Sequence, residues 1–220
     1  MPPLVLRETH IMQIEQIHAA VLAAESSLNK HYWTLFSIAY GLQAQAVFEF
    51  GAGGSSAVLL TALELTGGTL MSCDLERLQD LVARIPSLRE ATQSSRWVFH
   101  HEPSQDVLRN LRGQAFDLVL HDGSHEPDQV AEDIAGILPH LKQFGLLLVH
   151  DVEQFALGEE MRRGLMEGIR RSGRRVSMTS LPYSDGLAIV RMEDACVAGR
   201  IQTTWSKATT RPAAPAAIPW

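Results

Sequence analysis

Five short apolar runs, "AVFEF", "GTLMSCD", "RWVFHH", "FDLVLHD" and "GLLLVHD", recur along the middle of the chain. Helix-compatible windows separate them, near residues 54–65, 75–90, 104–112 and 126–141. Strands joined through helices pair in parallel and carry those helices on both faces of the sheet. "LVL" and "LLLV" are apolar at consecutive positions, as strands covered on both sides require. Two later runs, "RRVSMTS" and "GLAIVRM", are separated only by "LPYSD", which is too short for a parallel crossover. They predict an antiparallel hairpin at one sheet edge. The expected fold is α/β: a Rossmann-like, doubly wound, mostly parallel sheet of seven strands with an antiparallel C-terminal hairpin.

Upstream of the first strand, Ile11, Ile14, Ile17, Val21 and Leu28 recur at helical spacing, predicting an amphipathic helix over residues 10–29 and a second from 31 to about 44. The chain divides into an N-terminal helical extension (1–44), which is a cap or a dimer contact, a core (45–193) and a C-terminal extension (194–220). The tail from Ser206, "SKATTRPAAPAAIPW", has no periodicity and is expected to be partly disordered. Before it, "RRSGRR" (170–175) reads as arginines closing a helix that stops at Gly173, rather than as a phosphate patch.

A formal net charge of −6 argues against partners that are nucleic acids or anionic membrane surfaces. Cys73 and Cys196 stand far apart and in no metal-ligand spacing, which fits a reducing compartment. The N-terminus has no secretory pattern and no window approaches a membrane span, so the expectation is a cytoplasmic protein.

The segment "VFEFGAGGSSAVLL" (47–60) passes from strand to helix through glycines. Such a turn lets a ligand approach the backbone and places helix N–H groups beside it. A dinucleotide fingerprint is broken by Ser56, which stands where its third glycine would be, and the lysine of a nucleotide phosphate loop is missing. Glu49 precedes the turn, and Asp74 ends the second strand 21 residues beyond Gly53, where an acid can accept both ribose hydroxyls. A carboxylate beside the turn repels a pyrophosphate but suits a ligand carrying ammonium and sulfonium groups.

On these residues the chain resembles the class I methyltransferases, with "EFGAGGSS" as their first motif and "CDLE" as their ribose-binding acid. The likeness runs from about residue 45 to 192. The block "FDLVLHDGSHEPDQVAEDIAGILPHLKQFGLLLVHDV" is similar to small-molecule O-methyltransferases of the catechol-type, macrolide-sugar and cephalosporin-tailoring groups. The resemblance implies S-adenosyl-L-methionine as cofactor, contacted by Glu49, Gly51, Ala52, Gly53, Ser55 and Asp74. It also implies Ser104 or its neighbours beside the adenine, with His121 at the end of the fourth strand.

The fourth strand ends in His121-Asp122 and the fifth in His150-Asp151; five of the nine histidines fall at or just beyond strand ends. Ligands of doubly wound sheets bind at the C-terminal strand ends. Asp122 and Asp151 are hard oxygen donors suited to Mg²⁺ or another divalent metal. His150 stands where the resembling enzymes carry an acid, and as a ligand would favour Mn²⁺, Fe²⁺ or Zn²⁺. His125 matches the general base of the macrolide-sugar branch. The candidate catalytic residues are therefore His125 and Asp122, and the candidate metal ligands Asp122, His150 and Asp151. His100 and His101 are weaker candidates with structural readings.

The function expected is methyl transfer to the hydroxyl of a small molecule, assisted by a divalent metal. The alternatives are a metal-dependent hydrolase or lyase on a similar sheet, a non-catalytic interaction module and, last, a nicotinamide dehydrogenase. Loops 30–44, 152–160 and 181–186 are expected to line the substrate pocket with Tyr32, Trp33, Phe155 and Tyr183.

Overall fold

The computed structural model describes residues 8–23 and 26–194. Seven strands form one sheet: β1 (Ala46–Phe50), β2 (Thr69–Asp74), β3 (Trp97–His101), β4 (Phe116–His121), β5 (Leu141–His150), β6 (Val176–Leu181) and β7 (Leu187–Met192). Their order is β3-β2-β1-β4-β5-β7-β6, parallel from β3 to β5, with β7 antiparallel to both β5 and β6. The doubly wound sheet and its edge hairpin are as expected. The order reverses between β1 and β4, so a crevice opens above their C-terminal ends.

Among the described residues eight helices accompany the strands: α1 (Glu8–Ala23), α2 (Tyr32–Gly41), α3 (Gly54–Thr66), α4 (Leu78–Arg84), α5 (Leu88–Ala91), α6 (Ser104–Asn110), α7 (Pro127–Ile137) and α8 (Gly158–Ser172). Strand alternation sends Val47, Leu118, Leu120 and Leu148 into one core layer with Leu35, Leu59 and Leu63 of α2 and α3. Phe48, Phe50, Val119 and Leu147 enter the opposite layer with Val130, Ile134, Met161 and Leu165 of α7 and α8.

Several boundaries differ from expectation, each with a local cause. The helix expected over 10–29 ends at Ala23, and Leu28–His31 forms a 3₁₀ turn that leads directly into α2. The window 75–90 is split into α4 and α5 because Pro86 pushes Ile85 into extended backbone (φ −119°, ψ 90°). The window 126–141 closes as α7 followed by a 3₁₀ turn through Pro139. The fifth strand starts earlier than "GLLLVHD": it runs from Leu141 through an irregularity at Phe144, whose φ is +64°. Arg170 and Arg171 pair with Glu167 in the last turn of α8, and Gly173 caps it at φ 64°, so "RRSGRR" closes a helix. The tail from Ser206, expected to be partly disordered, lies outside the described residues. None of the described helices is long and apolar enough to cross a membrane.

Candidate active site

A cleft of about 1600 Å³ lies over the C-terminal ends of β1, β2 and β4. That is beyond the ~300–1000 Å³ of an ordinary small-molecule pocket and leaves room for two ligands side by side. The glycine turn (Gly51 to Gly54) and Ser55 form its floor. Asp74 stands on one side, Ser104, Gln105, Gln129 and Asp133 on another, and Asp122 and His125 on a third. Ala19, Ala20, Ala23, Leu28 and Tyr32 close it from the N-terminal side.

Gly51 is required by packing. Its φ is +80°, and a Cβ added there would lie on the carbonyl oxygen of Asp122 and 2.9 Å from its carbonyl carbon. The turn thus binds the end of β1 to the end of β4, and Asp122 N–H donates to Phe50 O at 3.0 Å. Asp74 braces the same turn: its Oδ2 accepts the Ala52 N–H at 2.9 Å and its Oδ1 the Glu76 N–H at 2.7 Å. Each carboxylate oxygen keeps a lone pair for a ligand in the cleft.

Two residues named from the sequence as cofactor contacts take other positions, and strand parity explains both. Glu49 points to the same face as Val47, beneath the first turn of α3, and is fully buried. Ser55 and Ser56 Oγ each donate to it at 2.6 Å and Ser72 Oγ at 2.8 Å. Burial raises its pKa to about 7, against the partial offset of the three hydroxyls. It is a buried anchor under the turn, outside the cleft wall. Likewise, His121 points to the face of Val119 and Phe50. Its fully buried ring packs 5.1 Å from Phe50, with Nε2 3.3 Å from Asp133 Oδ2.

Asp133 itself was not legible as a site residue, although Gln129 and Asp133 lie one helical turn apart on α7. Its Oδ1 collects Ser104 Oγ at 2.6 Å, Gln105 Nε2 at 2.8 Å and Gln129 Nε2 at 2.9 Å. Ser104 is thereby placed in the cleft wall with its hydroxyl proton committed to Asp133.

The second group assembles as its spacing suggested. His125 Nε2 lies 2.7 Å from Asp151 Oδ2. Asp151 has φ 62°, a left-handed conformation that Asp and Asn tolerate better than most residues. Hydrogen bonding to Asp151 raises the His125 pKa, against desolvation. His150 Nδ1 is 3.1 Å from Asp122 Oδ1 and 3.3 Å from Asp151 Oδ1, while its Nε2 faces Ser184 O at 3.3 Å. Burial pulls the His150 pKa down, but the two carboxylates outweigh it and hold it at about 10. The same two imidazoles keep Asp151 well below the usual carboxylate range despite its burial. Ligand atoms of Asp122, His150 and Asp151 lie within 4.8 Å of one another. Asp151 Oδ1, although buried, has no hydrogen-bond partner among the described residues.

Of the four aromatics expected in the pocket, only Tyr32 is in the cleft wall. Trp33 packs against the core, Phe155 is fully exposed, and Tyr183 stacks on His31 with ring centroids 4.4 Å apart. His31, missed from the sequence, is buried behind His150 (centroids 5.5 Å), its Nε2 3.1 Å from Tyr183 O. It ties the N-terminal segment to the β6–β7 turn. His100 and His101 lie outside the cleft wall, and His101 Nε2 contacts Leu75 O at 3.0 Å.

Residues 48–152 match a family model described as a methyltransferase domain. No curated protein sequence matches the chain. Among solved structures it is similar to cofactor-bound Rv0187 from MTB, with 22% identity over 87% of this chain and 94% of that one and a TM-score of 0.61. It is similar to the O-methyltransferase TomG of Streptomyces achromogenes, involved in tomaymycin synthesis and solved with SAM: 21% identity, 87% and 93% coverage, TM-score 0.61. An O-methyltransferase from Bacillus cereus in complex with SAH is alike at 19% identity, 87% and 94% coverage and TM-score 0.60. At these identities the structures speak for the fold, and the domain match selects methyl transfer from the enzyme classes the sequence left open. Residues 48–152 thus match a methyltransferase domain, and the chain shares the fold of these solved structures.

Proposed function

We propose that this protein transfers the methyl group of S-adenosylmethionine to a hydroxyl of a small molecule, with a divalent metal assisting. The observation that carries this reading is the placement of Asp122 and of His125, backed by Asp151, in the wall of the cleft whose floor is the glycine turn. The volume for two ligands and the SAM and SAH bound in TomG and the Bacillus cereus enzyme support it.

S-adenosylmethionine supplies the electrophilic methyl group. Asp74 offers acceptors to the ribose hydroxyls, Gly51, Ala52 and Gly53 offer close backbone approach, and Ser104 borders the adenine end. The N-terminal helices act as the cap over this arrangement. At the other side, His125 takes the proton of the acceptor hydroxyl. Its Nε2–H is held by Asp151, which leaves Nδ1 as the receiving nitrogen and stabilises the imidazolium that forms. The acceptor oxygen then bonds to the methyl carbon as the carbon–sulfur bond breaks. Holding oxygen, carbon and sulfur in line contributes more than the base does: well-oriented reactants reach effective molarities of ~10⁵–10⁸ M, against ~10²–10⁴-fold for proton transfer.

The donor set of Asp122, His150 and Asp151 fits a divalent cation. The buried Asp151 Oδ1, which has no hydrogen bond, would gain a ligand, and the Ser184 carbonyl opposite Nε2 leaves His150 Nδ1 to face the site. When bound, the ion lowers the pKa of a coordinated hydroxyl and offsets charge on its oxygen. The imidazole donor admits Mn²⁺, Fe²⁺ and Zn²⁺ as well as Mg²⁺.

A His125→Ala variant tests the assignment. Turnover is expected to fall by roughly 10²–10⁴-fold with S-adenosylhomocysteine affinity unchanged. Only the neutral imidazole accepts a proton, so the raised His125 pKa places the acidic limb of the wild-type pH–rate profile above the usual histidine value. The variant loses that limb. Near-full turnover in the variant removes His125 from the mechanism.

A further inference from the structure

The turn between β6 and β7 carries three successive left-handed residues, Ser184 (φ 51°), Asp185 (φ 63°) and Gly186 (φ 82°). Two of them bear a Cβ, and such backbone persists only where the surroundings fix it. Here the fixing contacts come from two distant segments. Just past β5, Glu153 N–H donates to Asp185 O at 2.7 Å. In the N-terminal extension, Ser27 O accepts from Ser184 Oγ at 2.8 Å, and the Thr34 and Tyr183 hydroxyls lie 3.1 Å apart.

The turn presents one carbonyl, that of Ser184, to two imidazoles at once. His31 Nε2 lies 3.2 Å from it and 3.1 Å from Tyr183 O, and His150 Nε2 lies 3.3 Å from it. A carbonyl oxygen only accepts, and it has two lone pairs, so both rings carry a hydrogen on Nε2. In His150 that leaves Nδ1 for the side of Asp122 and Asp151. In His31 it leaves a buried Nδ1 with no hydrogen-bond partner among the described residues. The two carbonyls are therefore all that the His31 imidazole bonds to. An apolar ring would fill the same space against Tyr183 and His150 without burying an unpaired nitrogen. What the histidine adds is its N–H on the Ser184 carbonyl.

We propose that His31 is a positioning residue for the metal centre: it anchors the Ser184 carbonyl that sets the tautomer and ring orientation of His150. This rests on the reading of Asp122, His150 and Asp151 as ligands of a divalent cation. A ligating histidine is oriented by the hydrogen bond of its other nitrogen, and losing that support lowers metal affinity by ~10–100-fold. Here the support is itself supported, one bond further out, by a residue from the N-terminal extension. That extension is then a working part of the metal site as well as a wall of the cleft.

The test is calorimetric titration of Mn²⁺ into the wild-type protein and two variants. His31→Phe keeps a ring against Tyr183 but has no N–H, whereas His31→Gln offers an amide N–H near the place of Nε2. His31→Phe is expected to bind Mn²⁺ about tenfold more weakly, with S-adenosylhomocysteine affinity unchanged. His31→Gln is expected to recover most of the loss. Equal loss of Mn²⁺ affinity in both variants would make His31 a packing residue and overturn the proposal. So would a matching loss of S-adenosylhomocysteine affinity in His31→Phe. Should His31→Phe fail to fold, the ring nitrogen NMR shifts of His150 in the Zn²⁺-loaded wild-type protein decide. Coordination through Nδ1 with hydrogen on Nε2 is expected, and coordination through Nε2 would overturn the proposal. Failure of the wild-type protein to bind Mn²⁺ would overturn the metal-site reading and this inference with it. Wild-type binding that His31→Phe leaves unchanged would overturn this inference alone.

Discussion

A Gly51→Ala variant is expected to lose ~4 kcal/mol of stability and with it the ability to bind S-adenosylhomocysteine. The left-handed backbone costs ~1–2 kcal/mol for any residue with a Cβ. The larger part comes from the added methyl group meeting the Asp122 carbonyl, which is backbone and cannot rotate aside. Relieving that overlap means pulling the end of β1 from the end of β4, where Asp122 N–H bonds to Phe50 O at 3.0 Å. For a chain of this size, ~4 kcal/mol corresponds to a fall in melting temperature of roughly 8–16 °C, readable by thermal denaturation. A melting temperature within about 2 °C of the wild type would mean that the turn adapts and that this glycine is dispensable to the fold.

The second large effect is at Asp151. An Asp151→Asn variant is expected to lower turnover by about 10³-fold or more while leaving S-adenosylhomocysteine affinity within about threefold of wild type. Asparagine tolerates the left-handed conformation that Asp151 adopts at φ 62°, so the chain path is preserved and only the charge is lost. Two consequences add. The imidazole of His125 loses the carboxylate that orients it at 2.7 Å and raises its basicity. The group formed with Asp122 and His150 loses a buried, charged oxygen donor whose contact there is the 3.3 Å ion pair with His150. Asp151 is outside the cleft floor, so donor binding is spared. Comparing turnover with calorimetric affinity separates this outcome from general unfolding, which would abolish both. A variant that turns over at the wild-type rate would place the chemistry elsewhere.

The sheet was legible because its strands are short apolar runs with helices between them, a pattern that local chemistry writes directly into the chain. Boundaries were less so where proline chemistry acts against helical periodicity, as at Pro86, which divides α4 from α5. In the site, Asp122, His125, His150 and Asp151 were legible because strand ends place them and their spacing is short. Glu49 and His121 were misplaced for a common reason. Their position at a strand's end suggested the crevice, but the two-residue alternation along β1 and β4 sends both side chains into the layers between sheet and helices. That alternation was readable: Val47 and Glu49 share a face, and so do Val119 and His121. Asp133 gathers Ser104, Gln105 and His121 from distant parts of the chain, and no local pattern announces such a junction. Tyr32 was visible as an aromatic, but its seat on Gly54 depends on how α2 docks against α3.

The central claim is that the ends of β1 and β2 hold a sulfonium donor while the ends of β4 and β5 activate a hydroxyl. Calorimetric titration of the wild-type protein with S-adenosylhomocysteine, in the presence and absence of Mn²⁺ or Mg²⁺, tests it most directly. Single-site binding of comparable affinity in both conditions is predicted, since the donor and metal groups stand on different strand ends. Absence of binding at millimolar ligand, with or without the ion, would contradict the account.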